Sequence, residues 1–141
     1  MNVSRRERGN VVIETVLIFP PLLLLILAAI VAGRIVIAHA AVEAAARDAA
    51  RQASLARTPL AAQQAALTSA ASLLQAESLH CAPQVHIDTT GFGAPVGSPA
   101  TVSARVTCTV ALGDVTIPGM PGSKTITANF TSPLDPFRGR S

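Results

Sequence analysis

Three hydrophobic patterns follow one another along the chain. The first is continuous. Across residues 11–32 the only clearly polar side chains are Glu14 and Thr15, and Arg34 closes the run. As a helix the run is about 33 Å long at about 1.5 Å per residue, enough to cross the hydrocarbon core of a bilayer. Pro20 and Pro21 fall inside it. Each removes a backbone donor, so a kink or a locally opened turn is expected there. Residues 35–56 are dominated by alanine, the best helix former, with neither Gly nor Pro. Glu43 precedes Arg47 by four positions and Asp48 precedes Arg51 by three, both favourable helical pairs. The pattern predicts one long helix to about Arg57, whose small side chains let other helices approach closely.

The second pattern is amphipathic. Thr58 suits an N-cap and Pro59 the first helical position. Leu60, Leu67 and Leu74 then recur every seven residues, with Ala70, Ala71 and Leu73 nearby. A second helix to about Leu79 follows, its leucines expected as a core stripe because the repeat is too short for a coiled-coil seam.

The third pattern has a period of two. Val85, Ile87 and Thr89 alternate with Gln84, His86 and Asp88. Across residues 101–112, Val102, Ala104, Val106, Cys108, Val110 and Leu112 face one way. Thr101, Ser103, Arg105, Thr107 and Thr109 face the other. Residues 124–130 repeat the alternation, with Ile126, Ala128 and Phe130 on the apolar side. Gly/Pro-rich stretches at residues 91–99 and 118–122 separate the three strands. The predicted fold class is α+β. A long N-terminal transmembrane helix and a second amphipathic helix precede a three-stranded antiparallel sheet packed on that second helix. Residues 132–141, with two prolines and two arginines, read as a loose tail.

Composition sharpens this picture. Charged residues make up 13% of the chain, against about 25% in ordinary soluble domains. Tyr and Trp are absent, which argues against an aromatic stacking platform for nucleic acid. The net charge of +3 is concentrated in Arg5, Arg6 and Arg8; beyond residue 9, eight basic groups face seven acidic ones. That asymmetry speaks for topology, with the N-terminus inside and the C-terminus outside. Cys81 and Cys108 are too few for a four-cysteine zinc site. Both lie beyond the apolar run, where an exported domain meets an oxidising compartment, so a single disulfide is expected.

The most informative stretch is Arg5-Arg6-Glu7-Arg8-Gly9-Asn10-Val11-Val12-Ile13-Glu14. A short basic leader ends in glycine, and a glutamate stands at the fifth position after it, inside the apolar run. An ionisable group there is costly and needs a partner. The stretch resembles a prepilin peptidase site cut between Gly9 and Asn10. With Phe19-Pro20, Gly33-Arg34 and the alanine-rich residues 40–53 containing Ala46-Arg47 and Ala50-Arg51, residues 5–54 resemble the TadE-like family. These are minor pilins or pseudopilins of the tight-adherence (Tad) pilus system. The family often has Phe after the glutamate, where this chain has Thr15, and Pro21 makes a double proline.

The resemblance implies a pilin-like architecture and a layout of parts. Residues 1–9 are a basic prepilin-type leader, 10–33 a transmembrane helix and 34–57 its extracytoplasmic extension. Residues 58–132 form a small α+β domain and 133–141 a tail. It implies that Glu14 pairs with the new Asn10 amine of a neighbouring subunit. The partners are then a prepilin peptidase, other pilin or pseudopilin subunits and the bacterial cytoplasmic membrane, crossed once. The assembled pilus is an extracellular destination. No enzymatic activity, cofactor, metal or nucleic-acid partner is expected.

Rival readings fit less well. Ala38-His39-Ala40 resembles a signal-peptide cleavage site, but the apolar run exceeds the usual 7–15 residues of such signals, and Arg34 intervenes. Ser4-Arg5-Arg6 hints at a twin-arginine signal, yet Glu7 and Arg8 follow rather than apolar residues. An enzyme would draw on His39, His80, His86, Asp88 or Asp114. His86 and Asp88 share a strand face and could hold a metal, but a solvated pair is the simpler reading. No nucleophile elbow or phosphate loop is present in the sequence. Arg138 and Arg140 read as a solvated tail. The Asn129-Phe130-Thr131 sequon carries little weight in a bacterial protein. The remaining alternative is a membrane-anchored or secreted binding module outside any pilus, using the exposed sheet and residues 91–99.

Overall fold

The computed structural model describes residues 6–111 and 122–137, with side chains from residue 12 onward. The leader residues 1–5, Leu112, Asp114, Arg138 and Arg140 therefore lie outside the described residues, as does most of the stretch at 118–122. The order of elements is helix α1 (Arg6–Leu55), helix α2 (Pro59–Ala76), strand β1 (Gln84–Asp88), a short 3₁₀ turn (Thr90–Gly93), strand β2 (Ala100–Ala111) and strand β3 (Ser123–Leu134). This is an α+β fold with a long apolar N-terminal helix, a second helix and a three-stranded antiparallel sheet. The chain divides into two compact units, Met1–Ile35 and Val36–Ser141.

In the first unit α1 runs through Pro20 and Pro21 without a break in its assignment. The expected opened turn is therefore not seen as a gap in the helix. A proline costs a helix one donor and some bending, but it does not force the chain out of helical dihedrals.

The second unit is built on alanine. The C-terminal part of α1 buries Ala38, Ala41, Val42, Ala45, Ala46, Ala49, Ala50 and Ala53, a helical stripe at three- and four-residue spacing. Helix α2 buries Ala62, Ala66, Ala70 and Leu74. Such small side chains allow close packing of the helix backbones. The leucine repeat does not form the core stripe expected of it: Leu60 is 67% exposed and Leu67 is 49% exposed, and only Leu74 is buried. A seven-residue repeat drifts by about 20° per heptad on a straight helix. The contact face is set by the alanines, and the leucines reach it only at Leu74.

The ends of α2 follow from local chemistry. The Thr58 side chain accepts a hydrogen bond from the Ala61 N–H, and Pro59 follows as the first helical residue. The helix stops at Ala76, three residues before the sequence pattern suggests. Ser78 takes a left-handed conformation, φ 57°. The Leu79 N–H then donates back to the Leu74 carbonyl at 2.9 Å, while both side chains are buried. That combination of left-handed residue, backward bond and apolar contact closes a helix.

The sheet is a meander in the order β1-β2-β3. β2 and β3 pair without interruption from Ala100↔Leu134 to Ala111↔Ser123. Val102, Ala104, Val106 and Cys108 of β2 are buried with Ile126, Ala128 and Leu134 of β3 and Ile87 of β1. β3 continues to Leu134, so the segment expected as a loose tail from residue 132 is partly strand. Pro133 reads as a breaker, yet an edge strand tolerates a proline. Beyond it, the Gly97 N–H donates to the Pro136 carbonyl at 3.0 Å.

The sheet, expected to pack on the second helix, also meets α1. Arg47 on α1 lies over the Phe130 ring of β3, 5.3 Å from its centre. Asp48, the next residue, accepts a hydrogen bond from the Ser69 hydroxyl of α2. The α1 turn at residues 47–48 thus touches both α2 and the sheet. A disulfide joins Cys81, just past α2, to Cys108 on the central strand, 27 residues apart. Closing a loop of that length removes about 3–4 kcal/mol of unfolded-chain entropy. Replacing both cysteines by serine in the full chain is expected to lower unfolding stability by about that amount. Chemical denaturation followed by circular dichroism in detergent measures it; a midpoint equal to that of the parent chain would show that the bond stabilises nothing.

Candidate functional site

The residues singled out by the sequence cluster on α1. Gly9 and Asn10 fall within the helix as assigned. One turn further on, Glu14 is exposed. It lines a shallow groove of about 240 Å³ with Thr15, Ile18, Phe19 and Leu22. No described side chain pairs with the Glu14 carboxylate.

The surroundings of Glu14 are apolar and uncovered. Val12, Ile13, Val16, Leu17, Ile18, Phe19 and the leucines at 22–25 are all exposed large hydrophobics. A soluble protein rarely leaves such a continuous surface open, and one that does presents an interaction site. Among the described residues, α1 is the one helix long and apolar enough to cross a membrane, its candidate span lying within Val12–Leu55. Of the groove residues, Ile18 and Leu22 were not marked out by sequence reasoning, and Phe19 entered only through the family resemblance. The signal that finds them is spacing: with Glu14 they recur at four, five and eight positions, one side of a helix.

The other candidate residues are scattered. His39 is exposed on α1 and His80 is exposed beside the disulfide, where it edges a hollow with Gln75, Ser78, Leu79, Cys81 and Ala82. His86 and Asp88 lie on the solvent face of β1 as expected. Among the described residues no group of three or more His, Cys, Asp or Glu is placed to hold a metal ion.

The solvent face of the sheet is hydrogen-bonded to itself. Arg105 Nε donates to Asn129 Oδ1 at 2.8 Å. The Thr107 and Thr127 hydroxyls meet at 3.1 Å, and those of Thr109 and Thr125 meet at the same distance. These are cross-strand pairs of the kind that hold a register. Asn129 of the sequon spends its side-chain oxygen in this network.

Asp88 is committed to a turn. Its carboxylate accepts the Thr90 N–H at 3.0 Å as the chain enters the 3₁₀ turn. That backbone bond, helped by the Thr90 hydroxyl and weakly by His86, holds the Asp88 carboxyl below its ordinary value against a small opposing effect of desolvation. A carboxylate with a lowered folded value contributes stability above its unfolded value. That contribution is lost as pH falls through the folded value. The Asp88 carboxyl is therefore expected to titrate below an ordinary aspartate in carbon-detected NMR. Asp88→Ala should lower the melting temperature at neutral pH, with the difference closing below the folded value. A titration at the ordinary aspartate midpoint would remove this role for the Thr90 bond.

With the geometry in place, comparison with known proteins gives one result. Residues 9–51 match the family model described as TadE-like protein. The matched segment contains Gly9, Asn10, Glu14, both prolines and α1 as far as Arg51. It is the part of the chain on which the sequence resemblance rests. No curated protein and no solved structure matches the chain. The match covers 43 of the 141 residues and so likens α1, rather than the whole chain, to that family. With one such exposed apolar helix among the described residues, near the N-terminus, the chain fits a membrane-anchored protein.

Proposed function

We propose that this chain is a minor pilin or pseudopilin of a Tad-type pilus. A prepilin peptidase cuts it between Gly9 and Asn10. Residues 10–33 then hold it in the bacterial cytoplasmic membrane, with the N-terminus inside and the second unit outside. It joins or primes the pilus through helix–helix association of its N-terminal segment with other pilin or pseudopilin subunits, and so contributes to adhesion. The observation that carries this reading is the TadE-like match over residues 9–51, which covers the exposed apolar length of α1 and the Glu14 within it.

The physical logic is that of an incomplete interface. An apolar helix in lipid is stable alone, but a carboxylate on it is costly until a cation or donor meets it. Cutting after Gly9 would create an amine at Asn10, four positions from Glu14. Pairing that amine with the Glu14 of a neighbour would relieve both charges, so that docking in register is favoured over a misaligned one. The second unit, with its disulfide and exposed polar sheet face, suits an oxidising space beyond the membrane.

Intact-mass analysis of the chain recovered from membranes is expected to give a mature form that starts at Asn10, and Gly9 replaced by a bulky residue should leave the leader attached. A mature chain that starts near Ala41 would support a secreted domain instead. Separately, Glu14→Ala should insert into the membrane as the parent does and yet fail to support piliation. Normal piliation by that variant would rule out the assigned role of the acid.

A further inference from the structure

The Cys81–Cys108 bond has two unlike ends. Cys108 is fully buried on the central strand β2, opposite Ile126 of β3. Val106, two residues before it on the same strand face, and Ile126 are buried with it. The Cys108 sulfur therefore offers no surface to solvent. Cys81 lies in the irregular segment between the end of α2 at Ala76 and the start of β1 at Gln84. It is only half-buried, and it lines a hollow of about 560 Å³. Around that hollow Gln75, Ser78, His80 and Ala82 are exposed, and Leu79 is buried.

Thiol–disulfide exchange is a substitution at sulfur, and access helps to decide which of two bonded sulfurs is attacked. An attacker aimed at Cys108 must reach an atom with no exposed surface. A close-packed interior leaves no path wide enough for a second thiol. Cys81 keeps part of its surface in the folded chain, at the rim of the hollow. The segment that carries it has no strand or helix to be pulled apart before an attacker arrives.

We propose that Cys81 is the exchange point of the folded protein: external thiols and disulfides react at its sulfur, and Cys108 serves only as the resolving sulfur within. In the reductive direction an external thiolate attacks Cys81 Sγ. A bond forms between those two sulfurs and the Cys81–Cys108 bond breaks. Its electron pair leaves on Cys108, which takes a proton from solvent. A second external thiolate then attacks the external sulfur of the mixed disulfide. An external disulfide departs and Cys81 is released as thiolate. In the oxidative direction the Cys81 thiolate opens an external disulfide. The Cys108 thiolate then attacks Cys81 Sγ and displaces the external thiolate, so the external disulfide is reduced as the internal bond forms. The inference concerns the second unit alone and does not depend on the role of α1.

The test uses the full parent chain, folded in detergent micelles, with reduced glutathione as the probe. Samples taken early are quenched with acid, unfolded and capped with N-ethylmaleimide, and their peptides are mapped by mass. Mixed disulfides should carry glutathione on Cys81 about ten times as often as on Cys108. The maleimide should mark Cys108 in the same molecules. In guanidinium that unfolds the second unit, the two sulfurs should be captured about equally. An even split in the folded chain would overturn the proposal. So would a preference for Cys108, or the absence of any mixed disulfide below the unfolding transition. A preference for Cys81 that persists in guanidinium would assign the choice to local sequence rather than burial, and would overturn it too. A second arm separates the sources of the thiol. A thioredoxin-type protein, with its second active-site cysteine replaced by serine, should be held at Cys81 as well. Capture of glutathione but not of that protein would restrict the partner to small thiols and keep Cys81 as the exchange point.

Discussion

An apolar helix surface that its own chain does not cover must be covered by something else, and the organisation of this protein turns on that requirement. Along α1 the large side chains from Val12 to Ile30 lie open, apart from the half-buried Leu27. Burying such a side chain is worth about 1.5–3 kcal/mol relative to leaving it in water. Lipid satisfies the side chains without selecting any particular partner. It does not satisfy Glu14. Anchoring and selectivity thus come from different atoms of one helix: the hydrocarbon surface holds it at the membrane, and a polar group chooses its neighbours.

The same helix changes character within the second unit. There it is a structural element, and alanine replaces leucine as the contact residue. Ala45, Ala46, Ala49 and Ala50 are buried with Ala62, Ala66 and Ala70 of α2. Alanine loses no side-chain entropy on burial, but it also brings little apolar area. A core of this kind is short of hydrophobic stabilisation for its size. The Cys81–Cys108 bond, the Arg47–Phe130 contact and the threonine pairs across the sheet are the compensating features.

Much of this fold was legible from pattern. The alternation at residues 101–111 marks the central strand because a period of two has no helical counterpart. Thr58-Pro59 marks the start of α2 because cap chemistry is local. The pairing of Cys81 with Cys108 was legible because there was no third cysteine to compete. The failures have physical causes as well. Leu60 and Leu67 looked like core because leucine usually is, yet close helix packing gave the interior to alanine. Ser78 ended α2 early through a backbone conformation that serine does not advertise. Pro133 concealed the last residues of β3, since its tolerance at a sheet edge depends on which strand is the edge. For the candidate site, Glu14 stood out as an acid in an apolar run. Ile18 and Leu22 beside it did not, because in a continuous apolar run no single residue stands out until the helix places it on a face.

The position of the staple relative to the last strand has a further consequence for biogenesis. Cys81 and Cys108 both precede β3 in the chain. If the segment beyond the anchor crosses the membrane in chain order, both thiols are exposed before Ser123–Leu134 has emerged. Oxidation can lock the end of α2 onto β2 while the far edge of β2 is still open. The central strand is then tethered to the end of α2 while it waits for its own hairpin partner.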